Sequence, residues 1–366
     1  MPVENFIIDE EPHARTLTAP IAPTSLIPRL EARPHILVIR RRYLGDIALL
    51  GSLLRNLKLH WPTARLGVLC EPAYAPILAL NPDVDDAWLF PQRALDWPRF
   101  LARVRAADFT HVIDLDNRDK TAVITRATGA AVRVTSRHGE RLHFAGCYTA
   151  AERLPESFLD GRHITDLYLH ALTQLGVPLV TRETRLVPRP EEVAALRPLL
   201  GGARLLVHPG SRSPWRVWPA ENYARVIDSL HAESGVTTAL IAGPGEQATV
   251  AAIARHARAP VVRIDARLGV TELAALFANA PALLCHDSGP MHVAAAVGTR
   301  VVALFGSQPM HLWQPVGTGH VTLQPPLPCV ACVSPGQCTP HDSYHNHCVR
   351  NLTVDRVLAA VRSALR

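Results

Sequence analysis

The chain has 366 residues and a net charge of +6; at roughly 150 residues per domain, that length points to two domains. Hydrophobic residues make up 48%, charged residues 19% and aromatics 5%, with 31 prolines, which excludes a long disordered tail, a collagen-like chain and a disulfide-dense mini-protein. No apolar run reaches the ~18 residues of a membrane span, and the chain opens on Glu4, Asp9, Glu10 and Glu11 where a signal peptide needs a basic start and an apolar stretch. A cytoplasmic protein is expected.

Residues 1–34 read as a flexible arm, with Pro2, Pro12, Pro20, Pro23, Pro28 and Pro34 and no apolar periodicity. Ile36–Ile39 is a β-type run, and a polar turn ending in Gly45-Asp46 follows it. Ile47, Leu50, Leu53, Leu54 and Leu57 then recur at helical spacing until Trp61-Pro62 stops them. Leu66–Leu69, His111–Leu115 and Ala131–Val134 continue as strands between helical stretches. A helix is expected from about His163 to Leu175, with Gly176 as its C-cap. The polar, proline-bearing passage Pro178–Pro190 is the best linker. Beyond it the grammar restarts, with strands at Leu205–Val207, Thr238–Ala242, Val261–Ile264, Ala282–Cys285 and Val301–Phe305. One helix between them opens at Thr271 with Glu272 in its first turn, and Thr353–Leu365 reads as a capped terminal helix. Repeated strand–helix units predict parallel sheets covered on both faces. The fold class is therefore α/β, two Rossmann-like domains facing across a cleft. They divide as 35–180 and 181–350, with a C-terminal helix over 351–366.

Four turns follow strands and open helices, which places them at the cleft edge. Arg40 to Asp46 ends in a carboxylate at a helix start, either a plain N-cap or a general base ionised at neutral pH. His208-Pro209-Gly210-Ser211, leading to Trp215-Arg216-Val217-Trp218-Pro219, offers backbone N–H groups and a guanidinium to an anion. Gly243-Pro244-Gly245-Glu246 puts a carboxylate beyond a strand end, where ribose hydroxyls are commonly bound. In His286-Asp287-Ser288-Gly289-Pro290-Met291-His292, Pro290 suits the first helical position and leaves free N–H groups for a diphosphate, with Asp287 beside them for sugar hydroxyls.

Basic residues number 38, of which only Lys58 and Lys120 are lysines. No dense basic run with interleaved aromatics occurs, so nucleic acid is not an expected partner. From Arg118 to Arg141 six basic residues face two acidic ones, Asp119 and Glu140, either a solvated face or a surface for an anionic acceptor. Four of the seven cysteines are crowded as Cys329-x2-Cys332-x5-Cys338-x9-Cys348, with His341, His345 and His347 nearby. That spacing fits a tetrahedral thiolate site for structural zinc or iron, or four ordinary thiols.

Together the four turns, and above all Asp287 to Gly306, resemble glycosyltransferase family 9, the heptosyltransferases of lipopolysaccharide core synthesis. The resemblance runs from about residue 35 to the C-terminus. It implies a GT-B fold, with the acceptor on the N-terminal domain and the nucleotide sugar on the C-terminal one, and a last helix returning to the N-terminal domain. It implies an inverting transferase that needs no metal or other cofactor for catalysis and takes ADP-heptose. Asp46 would be the base, and Ser211, Arg216, Glu246, Asp287, Ser288, Gly289, Pro290 and His292 would hold the donor. Arg216 stands where the family often has lysine. The expected acceptor is a lipopolysaccharide inner core, met through peripheral contact with the anionic inner-membrane surface. The alternatives are a protein (autotransporter) acceptor, for which the cysteine quartet is the hint, and a non-catalytic nucleotide-sugar-binding protein.

Overall fold

The computed structural model describes residues 33–211, 217–306, 308–326 and 348–366; nearly all of the 1–34 arm and most of the cysteine quartet lie outside them. The first half builds β1 (His35–Ile39), α1 (Leu44–Leu49), α2 (Gly51–His60), β2 (Arg65–Cys70), β3 (Asp86–Leu89) and α3 (Trp97–Ala106). It continues with β4 (His111–Asp114), α4 (Asp119–Thr128), β5 (Val132–His138), β6 (Ala150–Leu154) and α5 (Thr165–Leu175). The second half runs α6 (Pro190–Leu196), β7 (Leu205–His208), α7 (Ala220–Ser234), β8 (Thr238–Ile241), α8 (Gln247–His256) and β9 (Val261–Ile264). It ends with α9 (Val270–Phe277), β10 (Ala282–His286), α10 (Gly289–Ala296), β11 (Arg300–Leu304), α11 (Met310–Trp313), β12 (Val321–Leu323) and α12 (Val354–Leu365).

The strands form two parallel sheets of six, ordered β3-β2-β1-β4-β5-β6 and β12-β11-β10-β7-β8-β9. Counted within each half, the two orders are the same doubly wound pattern. The central strands are apolar on both faces because helices cover both: Ile36, Leu37, Val38 and Ile39, and likewise Leu205, Leu206 and Val207, are fully buried. Register follows from this burial, with Ile36 opposite Leu66 and His111, and Leu283 opposite Leu206 and Val301. Strand order reverses between β1 and β4 and again between β7 and β10, and the crevices beyond these switch points are where such sheets bind ligands.

All nine expected strands are present, with ends moved by a few residues at most. Gly176 caps α5 in the left-handed region at φ 68°. Three strands carry no readable pattern: β3, β6 and β12 are sheet edges, only partly buried, so they lack the apolar runs of central strands. The expected helix from Ile47 is two, α1 and α2, meeting at Leu50. Pro290 is the second residue of α10, behind Gly289, rather than the first.

One expectation fails: α12 does not return to the first domain. Val357, Leu358, Val361 and Ala364 join Val226, Leu230, Leu284 and Val302 in the core of the second, because the apolar stripe of α12 fits between α7 and β10–β11. The bridges between halves lie elsewhere. Buried Asn56 on α2 accepts from the Val180 and Thr181 N–H groups (2.7 and 3.1 Å) and donates to the Thr181 carbonyl (2.7 Å), pinning the linker. Leu186 N–H then donates to the Ala296 carbonyl at 2.9 Å, and Ile164 N–H to that of Leu312 at 3.0 Å. One apolar cluster spans both halves, joining Ile47 and Leu50 of the α1 region to Met291 and Val293 of α10.

Candidate active site

Helices α1 and α10 meet at their amino-terminal ends, through two glycines. A Cβ on Gly45 would lie 2.7 Å from His292 Cδ2, and one on Gly289 would lie 3.1 Å from Leu44 Cβ and 3.3 Å from the Gly45 nitrogen. Only glycine lets the two first turns approach so closely.

Asp46 sits on the first turn of α1, nearly buried at 6% exposure. Its Oδ2 accepts the Tyr43 N–H at 2.9 Å, so Asp46 is not the N-cap, which is Tyr43, but the third helical residue, whose carboxylate reaches back to close the helix start. Its Oδ1 accepts from the Tyr168 hydroxyl at 2.6 Å and from the Arg40 guanidinium. Burial opposes the Arg40 charge, but the oxygens of Tyr168, Asp46 and Asp116 outweigh it and hold the guanidinium firmly protonated. Burial, reinforced by the Asp46 charge, keeps Tyr168 a neutral donor far above the usual tyrosine range.

A second carboxylate steadies this pair. Arg40 Nη1 donates to Asp116 Oδ1 at 3.3 Å, and the Arg41 N–H to Asp116 Oδ2 at 3.0 Å. The turn carrying Asp116 is folded on Asp114, whose Oδ1 accepts the N–H groups of Asp116 and Asn117, both at 3.0 Å, and whose Oδ2 accepts from Tyr148 at 2.8 Å. Burial first, and the Asp116 charge second, push the Asp114 carboxyl up to about 6. Of this network only Asp46 was legible in sequence; Tyr168 and Asp116 lie 122 and 76 residues from their partners.

On the facing domain, Ser288 is the N-cap of α10 in extended geometry, with its hydroxyl donating to the His286 carbonyl at 3.2 Å. Asp287 follows β10 directly, its N–H on the Leu304 carbonyl at 3.3 Å. His292, one turn in, is 5% exposed with Nδ1 buried and unpartnered. Burial, with His163 adding to it, pushes its imidazole down to about 4, so it is neutral at physiological pH beside Asp46. His286 is a buckle rather than a ligand. Its Nε2 accepts the Trp218 N–H at 3.1 Å and faces the Tyr223 hydroxyl at 2.8 Å, while Trp218 Nε1–H reaches the Leu352 carbonyl at 3.0 Å.

Glu246 and the turn after β7 also come together. The Glu246 carboxylate accepts the Gly243 N–H at 2.7 Å and stands 3.5 Å from His208 Nε2. It lies so close over Gly210 that a Cβ there would fall 1.7 Å from Glu246 Cδ. Burial lowers the His208 pKa against the pull of the Glu246 charge. Ser211 Oγ is buried without a partner among the described residues. Ser211 Oγ, after β7, and His292 Nδ1, in α10, are both buried without a partner among the described residues, and a polar ligand bound there would satisfy them.

Arg216, Cys329, Cys332 and Cys338 lie outside the described residues; Cys348 is buried against Gly306. Among the described residues no group of three or more His, Cys, Asp or Glu is placed to hold a metal. The basic stretch from Arg118 to Arg141 does not stay together. Arg133 spends its donors on the Cys147 and Ala130 carbonyls near the start of β5, and Arg126 is on the last turn of α4. Arg137 is buried, donating to the Asn117 carbonyl at 2.6 Å and pairing with Glu140, while Arg118, Lys120 and Arg141 are exposed. A cavity of about 330 Å³ opens between Arg204, Pro281 and Arg300 at the other end of the second sheet. Its arginines cap the α12 carbonyls of Leu365 and Ala364 at 3.0 and 3.2 Å, so it closes a helix rather than a reaction site.

Two matched Rossmann units, joined at two helix starts with a held carboxylate on one of them, have the GT-B architecture. The profile of glycosyltransferase family 9 (heptosyltransferase) matches residues 97–341, and the chain belongs to that family. It is 26% identical over 289 residues to lipopolysaccharide heptosyltransferase 3 of Escherichia coli, covering 75% of this chain and 84% of that one. Among solved structures it is similar to a family 9 glycosyl transferase from Veillonella parvula DSM 2008 (TM-score 0.75, 19% identity, 91% of this chain and 97% of that one). It is similar also to E. coli ADP-heptose lps heptosyltransferase II (TM-score 0.73, 20% identity, 90% and 98%). The family match itself begins beyond Asp46, at residue 97.

Proposed function

We propose that this glycosyltransferase moves a heptosyl group from ADP-heptose, with inversion, onto a hydroxyl of a lipopolysaccharide inner core. The observation that carries the reading is Asp46, fixed by Arg40 and Tyr168 on one helix start, directly across from the Gly289 start of α10. The acceptor lies on the first domain (35–180) and the donor on the second (181–350). Asp46 takes the proton of the acceptor hydroxyl as that oxygen attacks the anomeric carbon. The new C–O bond forms as the bond to the diphosphate breaks, and the electron pair leaves on the ADP oxygen. A single in-line displacement inverts the centre.

The leaving diphosphate gathers negative charge, and the first turn of α10, at Ser288, Gly289 and Pro290, offers it backbone N–H groups and the positive end of the helix dipole. Ser211, on the turn after β7, would donate to the diphosphate, and Arg216, outside the described residues, would add its guanidinium. Glu246 accepts from the ribose hydroxyls, and Asp287 from the transferred sugar. His292, neutral beside Asp46, offers a hydrogen bond without adding charge next to the base. No step calls for a metal or cofactor. The quartet Cys329, Cys332, Cys338 and Cys348 would hold a structural zinc or iron, a reading supported by its spacing alone; metal analysis with and without Cys329→Ser decides it.

No helix among the described residues is long and apolar enough to cross a membrane, which suits a cytoplasmic enzyme working peripherally at the inner membrane. The test is incubation with ADP-heptose and a panel of truncated cores, with products weighed by mass spectrometry. A mass gain of one heptose on an inner-core acceptor is expected. Transfer only to protein hydroxyls would move the reading to the autotransporter acceptor that the cysteine quartet favours, and no transfer to any acceptor would refute it.

A further inference from the structure

The carboxyl edge of the first sheet carries an apolar rim that the reaction does not use. Leu95, in the 3-10 turn Ala94–Asp96, is 91% exposed, and Phe144 is 58% exposed. They belong to one surface. Trp97, two residues beyond Leu95, lies under the Lys120 ammonium, 5.6 Å from its ring centroid. Asp119, next to Lys120, holds His143 at 2.5 Å, and Phe144 follows it. Val123, one turn along α4, is 47% exposed and adds to the same face. Single exposed apolar residues are ordinary, but a linked set on rigid turns marks an interaction site.

The surrounding charge says what it meets. Arg93, Arg99, Arg118, Lys120 and Arg141 are exposed around the rim. Three acidic residues stand among them: Asp96 is exposed beside Leu95, Asp119 contacts His143, and Glu140 pairs with Arg137 and Arg118, so the five exposed cations outnumber the carboxylates. Apolar tips among long cations match an anionic bilayer, whose headgroups take the cations while its acyl region takes the tips. A second copy of this chain fits poorly, because a two-fold contact would set the cations against their own copies.

We propose that the Leu95–Trp97–Phe144 rim docks this enzyme on an anionic phospholipid surface. The rim lies at the same sheet edge as the turn that leads into Asp46, so docking turns the crevice towards the bilayer and a lipid-borne acceptor. That orientation rests on the heptosyl-transfer reading; the docking itself does not.

The test is flotation of the full chain with vesicles of phosphatidylcholine and phosphatidylglycerol, against phosphatidylcholine alone, in the absence of donor and acceptor. Binding to the anionic vesicles only, weakened by salt, is expected. Leu95→Asp with Phe144→Asp should lower the partition coefficient by about 100-fold, about tenfold for each buried apolar side chain lost. Aspartate tolerates the left-handed backbone at Phe144 (φ 44°), so the doublet should fold, and its turnover on a delipidated acceptor should match the parent. Absence of vesicle binding by the parent overturns the proposal, as does binding unchanged in the doublet. An equal loss from Leu179→Asp, on the linker, overturns the assignment to this rim, and a dimer abolished by the doublet would make the rim a self-interface. Since the assay needs no reaction, its failure leaves heptosyl transfer standing, and failure of transfer leaves docking standing.

Discussion

Gly45→Ala places one methyl group where the two domains touch. Its Cβ would lie 2.7 Å from His292 Cδ2, against an optimal carbon–carbon separation of about 3.5–4.0 Å, so about 1 Å must be found in a packed interface. Retreat is blocked on the other side by the Gly289 Cα, 3.4 Å from the same methyl group. Overpacking of this kind costs about 1–3 kcal/mol, while alanine in place of a helical glycine returns at most about 1 kcal/mol. The net expectation is destabilisation of about 1–2 kcal/mol by urea unfolding. Asp46 is the next residue, and a displacement near 1 Å lowers kcat by up to about 100-fold. The decisive step is a change of background. With His292→Ala the obstructing ring is gone, and Gly45→Ala should become neutral or stabilising by up to about 1 kcal/mol. The same destabilisation in both backgrounds, or wild-type stability and turnover for Gly45→Ala alone, would refute the contact between the two helix starts.

Tyr168→Phe keeps the ring beside Arg40 but removes the donor to Asp46. Loss of a hydrogen bond to a charged group costs about 1.5–3 kcal/mol, so kcat should fall by about tenfold or more while KM for the donor holds; a KM effect alone would place Tyr168 in binding instead. Asn56→Leu strips the linker of three hydrogen bonds and should cost about 2–3 kcal/mol, with faster tryptic cleavage at Arg182; unchanged cleavage would show that the linker is held elsewhere. The Asp114 carboxyl is pushed up to about 6 in the folded state from an ordinary 3.8. The folded protein therefore holds its proton longer, and this group costs stability as pH rises from about 4 to 6, about 3 kcal/mol in all. Asp114→Asn should remove that slope from the difference between variant and parent unfolding curves; an unchanged slope would assign it to other groups.

The fold was legible where the physics is local. Central strands such as β1 and β10 are short apolar runs because both faces are covered, and Gly176 marks a left-handed cap. Edge strands β3 and β6 were illegible because partial exposure leaves them no pattern. In the site, Asp46, Glu246, Ser288 and Asp287 could be read because each follows a strand and opens a helix, a relation written in consecutive residues. Arg40 was visible as one of three arginines, but its role depends on Asp116 and Tyr168, brought to it only by the sheet order and by α5. Buried Asn56 stood out in an apolar stripe as a signal left unused. The Arg118–Arg141 stretch is divided because α4 and β5 run in opposite directions, which takes Arg126 and Arg133 away from Arg118, Lys120 and Arg141. The resting place of α12 depended on which apolar surface remained uncovered, which no local pattern reveals.

The central claim is that Asp46 is the base of heptosyl transfer, and Asp46→Asn tests it most directly. Turnover of ADP-heptose with an inner-core acceptor, and donor affinity by calorimetry, are measured on the same preparation. The expected result is a fall in kcat of about 10²–10⁴-fold, the range for losing a positioned general base, with donor affinity essentially unchanged. Transfer at the parent rate by the folded variant would contradict the account.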